Sequence, residues 1–211
     1  MHLVSGSSGN PIDPEQWMAR YNPPDNEAPA AIGAGGVIGR SAEVAVMLTG
    51  LLRYSNGLQI ELAIRRRLDP PPGDRLHESM DAGLLVGVEL ADGRAVVAGH
   101  DVWSNPVPAA DEPALAHRGG GGGGREWSMS LWLTPVPPPG ELVIVVAGPE
   151  LGIEESRLTV DGGALSAAAD AVEVLWPHEP PQAHPGLVPV PRDVSPGGWF
   201  DRALRRPDAD G

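Results

Sequence analysis

Cysteine and lysine are both absent from this 211-residue sequence, phenylalanine occurs once, and aromatic residues make up 4% of it. Without cysteine there is neither a disulfide nor a thiolate metal ligand. Without lysine there is no Schiff-base chemistry, no pyridoxal phosphate attachment and no phosphate-loop lysine. All fifteen basic residues are arginine, and the formal net charge is −13. Arg65-Arg66-Arg67 is the only basic cluster, at the end of an expected strand, so the basic stripe that nucleic-acid binding requires is missing and no nucleic-acid partner is expected. No apolar run approaches the ~20 residues that span a bilayer. The opening MHLVSGSSGNPID has no basic region leading into an apolar one, so no signal peptide is read. A soluble, cytoplasmic protein with no membrane contact is expected.

Backbone punctuation, by contrast, is abundant: Gly 28 and Pro 24. The prolines gather in 11–29, 70–72, 106–113, 135–139 and after Trp176, which predicts an ordered centre with irregular ends. The expected organisation is an irregular segment over 1–36, a β-sandwich core over 37–176 that includes a helix over 164–176, and a Pro-rich tail over 177–211. A chain of this length can bury one sizeable core.

Within that core, apolar residues recur with a period of two, the mark of half-buried strands. Val44, Val46, Leu48, Leu52 and Tyr54 share one face, with Gly50 marking a bulge or bend. Ser55-Asn56-Gly57 predicts a tight turn, because Asn-Gly accepts positive φ angles, and Leu58, Ile60, Leu62 and Ile64 alternate on the return. Leu84, Val86, Val88 and Leu90 form a second hairpin turned at Asp92-Gly93. A third hairpin begins with Trp127, Met129, Leu131 and Leu133 and turns through Pro135-Val136-Pro137-Pro138-Pro139-Gly140. That PxxP run reads as a rigid corner rather than a ligand for a proline-binding domain. The returning Leu142, Val143, Ile144, Val145 and Val146 are apolar on both faces, predicting a central strand covered from both sides. Trp132 interrupts the polar face of its strand and predicts cover by a loop or tail. Gly119–Gly124 is a run of six glycines with nothing to bury and the largest entropy to lose, so a mobile loop is expected there. Leu165, Ala168, Ala169, Val172, Leu175 and Trp176 make the helical stripe, which Pro177 stops.

These patterns predict a mainly β fold class: an antiparallel sandwich or bent sheet of about six to seven strands, one C-terminal helix and irregular tails.

The chemistry is sparse. Gly33–Gly39 imitates a dinucleotide fingerprint, but its third glycine falls one place late and a strand succeeds it where a helix is needed. The six histidines show neither HxH nor HExxH spacing; His100-Asp101 and His77-Glu78 are the best placed. There is no GxSxG elbow. Glu61, Glu89 and Glu126 are strand carboxylates that could meet as an acid–base pair or simply keep sheet faces soluble. No catalytic residue, cofactor or metal is assigned.

Two aromatic islands stand out in the breaker-rich ends. Asp13-Pro14 can start a short helical turn carrying Trp17 and Tyr21 at i, i+4; the second island groups Trp199, Phe200 and Leu204. Such residues anchor interfaces, or else fold back onto their own core. The expected function is a non-enzymatic binding or accessory module with a protein partner, contacted through Trp17, Tyr21, Trp199, Phe200 and Leu204. The alternatives are a hydrolase or carbohydrate-acting enzyme with a site at the sandwich tip near His100-Asp101, and self-assembly through a sheet edge.

The stretch from about Gly124 to Trp176, with its Gly-Arg-Glu-Trp, Thr-Pro-Val-Pro-Pro-Pro-Gly and Gly-Ile-Glu-Glu-Ser-Arg elements, resembles an uncharacterised actinobacterial protein family from GC-rich genomes. The resemblance implies the hairpin and helix and carries no activity.

Overall fold

The computed structural model describes residues 20–69, 83–99 and 111–179. In chain order the strands are β1 (Glu27–Ala28), β2 (Ala30–Ala31), β3 (Gly36–Arg40), β4 (Val44–Arg53), β5 (Leu58–Arg66), β6 (Leu85–Glu89), β7 (Ala95–Val97), β8 (Ala114–Gly123), β9 (Glu126–Thr134), β10 (Leu142–Gly148) and β11 (Ile153–Val160). The helix α1 (Gly162–Ala167), a 3-10 turn over Ala168–Ala171 and β12 (Glu173–Val174) come after them. They build three antiparallel sheets: a ribbon β1-β12, a four-stranded sheet β11-β10-β6-β7, and a six-stranded sheet β2-β4-β5-β9-β8 with β3 also on β4. The two larger sheets face each other across one core, to which Val46, Leu62 and Leu131 contribute from one side and Val88, Ile144 and Val146 from the other. This is the mainly β, sandwich-type fold expected from the alternating pattern.

The described residues form twelve strands where about six to seven are expected. Three of the additions have only two residues each. A fourth is β3, at the expected boundary between the irregular segment and the core; it pairs with β4 from Gly36↔Leu48 to Arg40↔Ala45. Its Gly39 lies so close to β11 that an added Cβ would stand 2.9 Å from the Ile153 side chain. The hydroxyl of Ser41 then accepts from the Val44 amide at 3.1 Å and turns the chain into β4.

The fifth addition is the glycine tract. Rather than a mobile loop, it is the outer half of β8, paired with β9 from Gly119↔Ser130 to Gly123↔Glu126. The backbone ladder offsets an entropy cost that no side chain could repay. Gly124, at φ 59°, makes the turn into β9. An added Cβ on Gly122 would overlap the Glu126 carbonyl and the Trp127 Cα. On the far side of β8, Gly99 forms a parallel bridge to Ala116, and the described residues supply no strand beyond Arg118.

The first hairpin is present, but its turn is not the one expected. Tyr54 donates its amide to the Gly57 carbonyl at 3.0 Å, and neither Asn56 nor Gly57 has positive φ. Gly57 is there for space: an added Cβ would sit 2.5 Å from the Leu133 carbonyl and 2.6 Å from Trp132 Cζ2. The bulge near Gly50 is also present, between Leu48 and Gly50. It reverses the facing of the rest of β4, so Leu51 enters the core at 1% exposure and Leu52 turns to the outer face. The second hairpin, β6 to β7 through Asp92-Gly93, is as expected, with Gly93 at φ 84°.

The third hairpin is corrected. β9 lies in the six-stranded sheet between β5 and β8, while β10 lies in the other sheet between β6 and β11. The proline run is therefore a crossover between sheets, as suits residues without amide donors for a ladder. β10 is central, yet its outward residues Val143 and Val145 are only half-buried rather than covered from both sides.

The helix is shorter than 164–176. Asp161 caps it, its carboxylate accepting from the Ala164 amide at 2.9 Å. Helical backbone ends at Ala171, and Val172 is extended (φ −71°, ψ 125°). Two β-branched residues, Val172 and Val174, favour strand geometry, and 26–28 offers pairing: Glu27↔Val174, and the Leu175 amide to the Asn26 carbonyl at 2.8 Å. Residues 180–211 lie outside the described residues, as do 1–19, the expected loop over 70–82 and residues 100–110.

Candidate functional site

Of the expected contact residues, Trp17, Trp199, Phe200 and Leu204 lie outside the described residues, and so do His77-Glu78 and His100-Asp101. Tyr21 is described, and of the two expected alternatives it takes the fold-back onto the chain's own core rather than an exposed contact. It is 5% exposed and packs with Tyr54, Trp132, Ala114 and Ala116 on the outer face of the six-stranded sheet. Trp132 is the anchor: it is fully buried, its ring meets Tyr54 edge-on at 5.6 Å, and its indole N–H donates to the Arg20 carbonyl at 2.9 Å. The cover anticipated over Trp132 is thus the segment around Tyr21. That segment is fastened by Asn56 Nδ2 to the Asn22 carbonyl at 3.1 Å and by the Ser55 amide to the Glu27 carboxylate at 2.9 Å.

Among the described residues, the exposed aromatic residue lies elsewhere. Val174, Leu175 and Trp176 are 63%, 45% and 56% exposed, although the helical pattern assigned Leu175 and Trp176 to an apolar stripe. Their backbone is held: Leu175 donates to Asn26, and Asn26 Nδ2 donates to the Trp176 carbonyl at 2.9 Å. Three consecutive apolar side chains therefore project from a pinned ribbon rather than from a frayed end. The signal that could have found them is the pair of β-branched residues at 172 and 174, which argues against helix.

The strand carboxylates are each engaged separately. Glu61 accepts from Gln59 Nε2 at 2.6 Å and from the Ser130 hydroxyl at 2.7 Å. Glu89 pairs with Arg157 at 3.0 Å and Glu126 with Arg65 at 3.5 Å. Arg67 lies 3.6 Å from Glu43, so two of the three consecutive arginines serve exposed pairs at strand ends. Asp69 and Asp92 have their carboxyls held below the usual range, chiefly by hydrogen bonds from Arg125 and Arg94. Both are exposed surface pairs of small energetic weight. Among the described residues, no three His, Asp or Glu side chains converge as a metal would require, and no helix is long and apolar enough to cross a membrane.

A second surface is the groove between the proline crossover and α1. Pro137, Pro138 and Pro139 form one wall, Leu165 and Ser166 the other, and Arg53 with Leu58 closes the end. No sequence pattern points to it, because its walls come from three separate segments. Comparison with known proteins adds no relative: no family model, curated protein or solved structure matches the chain.

Proposed function

We propose that this chain is a non-enzymatic binding module that acts through protein–protein contact, with Val174, Leu175 and Trp176 at the contact surface. The observation that carries the reading is the exposure of these three side chains on a backbone held by Asn26 and β1. Keeping an indole and two aliphatic side chains in water on an ordered ribbon forgoes roughly 1.5–3 kcal/mol for each large side chain that could be buried. Tryptophan is also among the residues enriched at interface hot spots. The engagement of Glu61, Glu89 and Glu126 with separate partners favours this reading over an acid–base enzyme.

The test compares the full chain with its Trp176→Ser variant, each immobilised and exposed to extract of the host cell. A polypeptide retained by the first and lost from the second, with thermal unfolding unchanged, is expected. An identical retained set would refute the assignment. Light scattering on the same two proteins identifies the case in which the partner is a second copy, as a mass increase that the substitution removes.

A further inference from the structure

The groove beside the proline crossover offers a chemistry that the exposed ribbon lacks. Arg53 ends β4, and its half-buried side chain is the only charged one among the described residues lining the groove. Nη1 donates to the carbonyls of Tyr54 and Gly57 at the hairpin turn. Nε and Nη2 take no hydrogen-bond partner among the described residues, and no carboxylate lies within ion-pair distance. Glu27, the acidic group that bears on Arg53, has its Oε2 committed to the Ser55 amide at 2.9 Å. Loss of water around Arg53 outweighs the Glu27 charge and lowers the arginine's pKa, though a guanidinium stays protonated throughout the accessible range.

We propose that this groove binds a short apolar monocarboxylic acid, its carboxylate held by Arg53 and its hydrocarbon part lying between the proline wall and α1. The planar guanidinium fork suits a carboxylate, and the two nitrogens without a partner among the described residues supply its donors. The walls choose the rest of the ligand. Pro137–Pro139, Leu58 and Leu165 are apolar, and the Ser166 hydroxyl is the only other polar side-chain group among the described lining residues. A multiply charged phosphate would lose its hydration against them without compensation. The volume, about 250 Å³, suits a small ligand such as a short-chain acid. Three prolines hold one wall rigid, so little ordering is needed on binding. This site is independent of the protein-contact reading, since it uses neither Val174 nor Trp176.

Hexanoate is the matching probe, and hexanamide is its neutral counterpart. Titrated into the full chain labelled with ¹⁵N, hexanoate is expected to give saturable amide shifts at Ser166 and Ala169, with affinity on the order of millimolar. Hexanamide and the Arg53→Gln variant should each bind at least about tenfold more weakly. Because Arg53 also supports the hairpin, Ser166→Trp provides a second arm: the position is exposed on α1, and the indole should fill the groove and abolish the shifts. The proposal is overturned if hexanamide binds as well as hexanoate, if Ser166→Trp leaves binding intact, or if no saturable shift occurs up to about 50 mM.

Discussion

Gly57→Ala isolates the physical reason for the glycine in the first hairpin. Were Gly57 present for a positive-φ turn, alanine would cost about 1 kcal/mol of backbone strain. It has no positive φ, so that penalty does not apply. Instead the new methyl would stand 2.5 Å from the Leu133 carbonyl and 2.6 Å from Trp132 Cζ2, against the roughly 3.5–4.0 Å of a normal contact. Neither neighbour can retreat cheaply. Leu133 is held in β9 by pairing to Leu58 and Leu115, and the Trp132 ring is pinned by Arg20 and Tyr54. Overpacking of this kind costs about 1–3 kcal/mol, and two fixed neighbours place it near the upper end. Alanine also removes freedom from the unfolded chain, returning about 0.4–1 kcal/mol. The net expectation is a loss of about 2 kcal/mol, or roughly 4–8 °C in Tm for a domain of this size. Urea unfolding followed by tryptophan fluorescence measures it, with an unchanged m-value. Gly93→Ala is the control: φ is 84° and nothing lies within 4 Å, so backbone strain acts without a packing clash and the net loss should be about half as large. If Gly57→Ala is neutral, or costs no more than Gly93→Ala, the packing argument fails.

The glycine strand makes a positional prediction. Gly122→Val should destabilise by more than about 2 kcal/mol, because its Cβ overlaps the backbone of Glu126 and Trp127. Gly121→Val and Gly123→Val face open space and should be neutral or slightly stabilising, as β-branched residues are in strands. Equal effects at all three positions in thermal melts would mean that the tract is a loop. A second expectation concerns alkaline pH. Burial, and after it the Glu27 carboxylate, raises the Tyr54 pKa above its ordinary value of 10.0. A raised folded-state pKa gives a contribution that is complete below the unfolded value and is lost as pH rises through the folded one. Stability measured between about pH 8 and 11 should therefore decline above about pH 10, and Tyr54→Phe should flatten that decline; an unchanged slope in the variant would assign it to other groups.

The elements legible in the sequence are those whose side chains carry a period. β5 reads directly, because Leu58, Ile60 and Leu62 are all buried and Gln59, Glu61 and Arg65 face outward. The same holds for Val86 and Val88 in β6. Gly119–Gly123 could not be read this way. Its pairing rests wholly on backbone groups and on the neighbouring Trp127–Ser130, and glycine has no face to reveal. Leu51 and Leu52 exchanged roles for another reason. A bulge shifts the period by one, and alternation on either side of it gives opposite answers unless the bulge is placed to the residue. The proline crossover looked like a hairpin because two apolar strands flank a short turn, a pattern shared by strands of facing sheets.

The aromatic residues show why a surface is harder to read than a strand. Tyr21 sits among breakers and looks exposed, whereas Trp176 completes a helical stripe and looks buried; the fold reverses both. Tyr21 finds Trp132 and Tyr54, and Gly57 leaves the space in which the Trp132 ring lies against the hairpin. Tyr54 and Trp132 are both far from Tyr21 along the chain, and no local window contains all three. Trp176 is turned outward by a local event, the end of helical backbone at Ala171 and the capture of Glu173-Val174 by β1. A helix continued to Trp176 would have kept Val172, Leu175 and Trp176 on one side. Strand geometry instead alternates consecutive residues across the ribbon, and a two-stranded ribbon has too little beside it to cover both faces. The same change of backbone that defeats the helical reading therefore creates the apolar surface on which the proposed contact rests. In this chain the proposed contact surface is a consequence of where one helix stops.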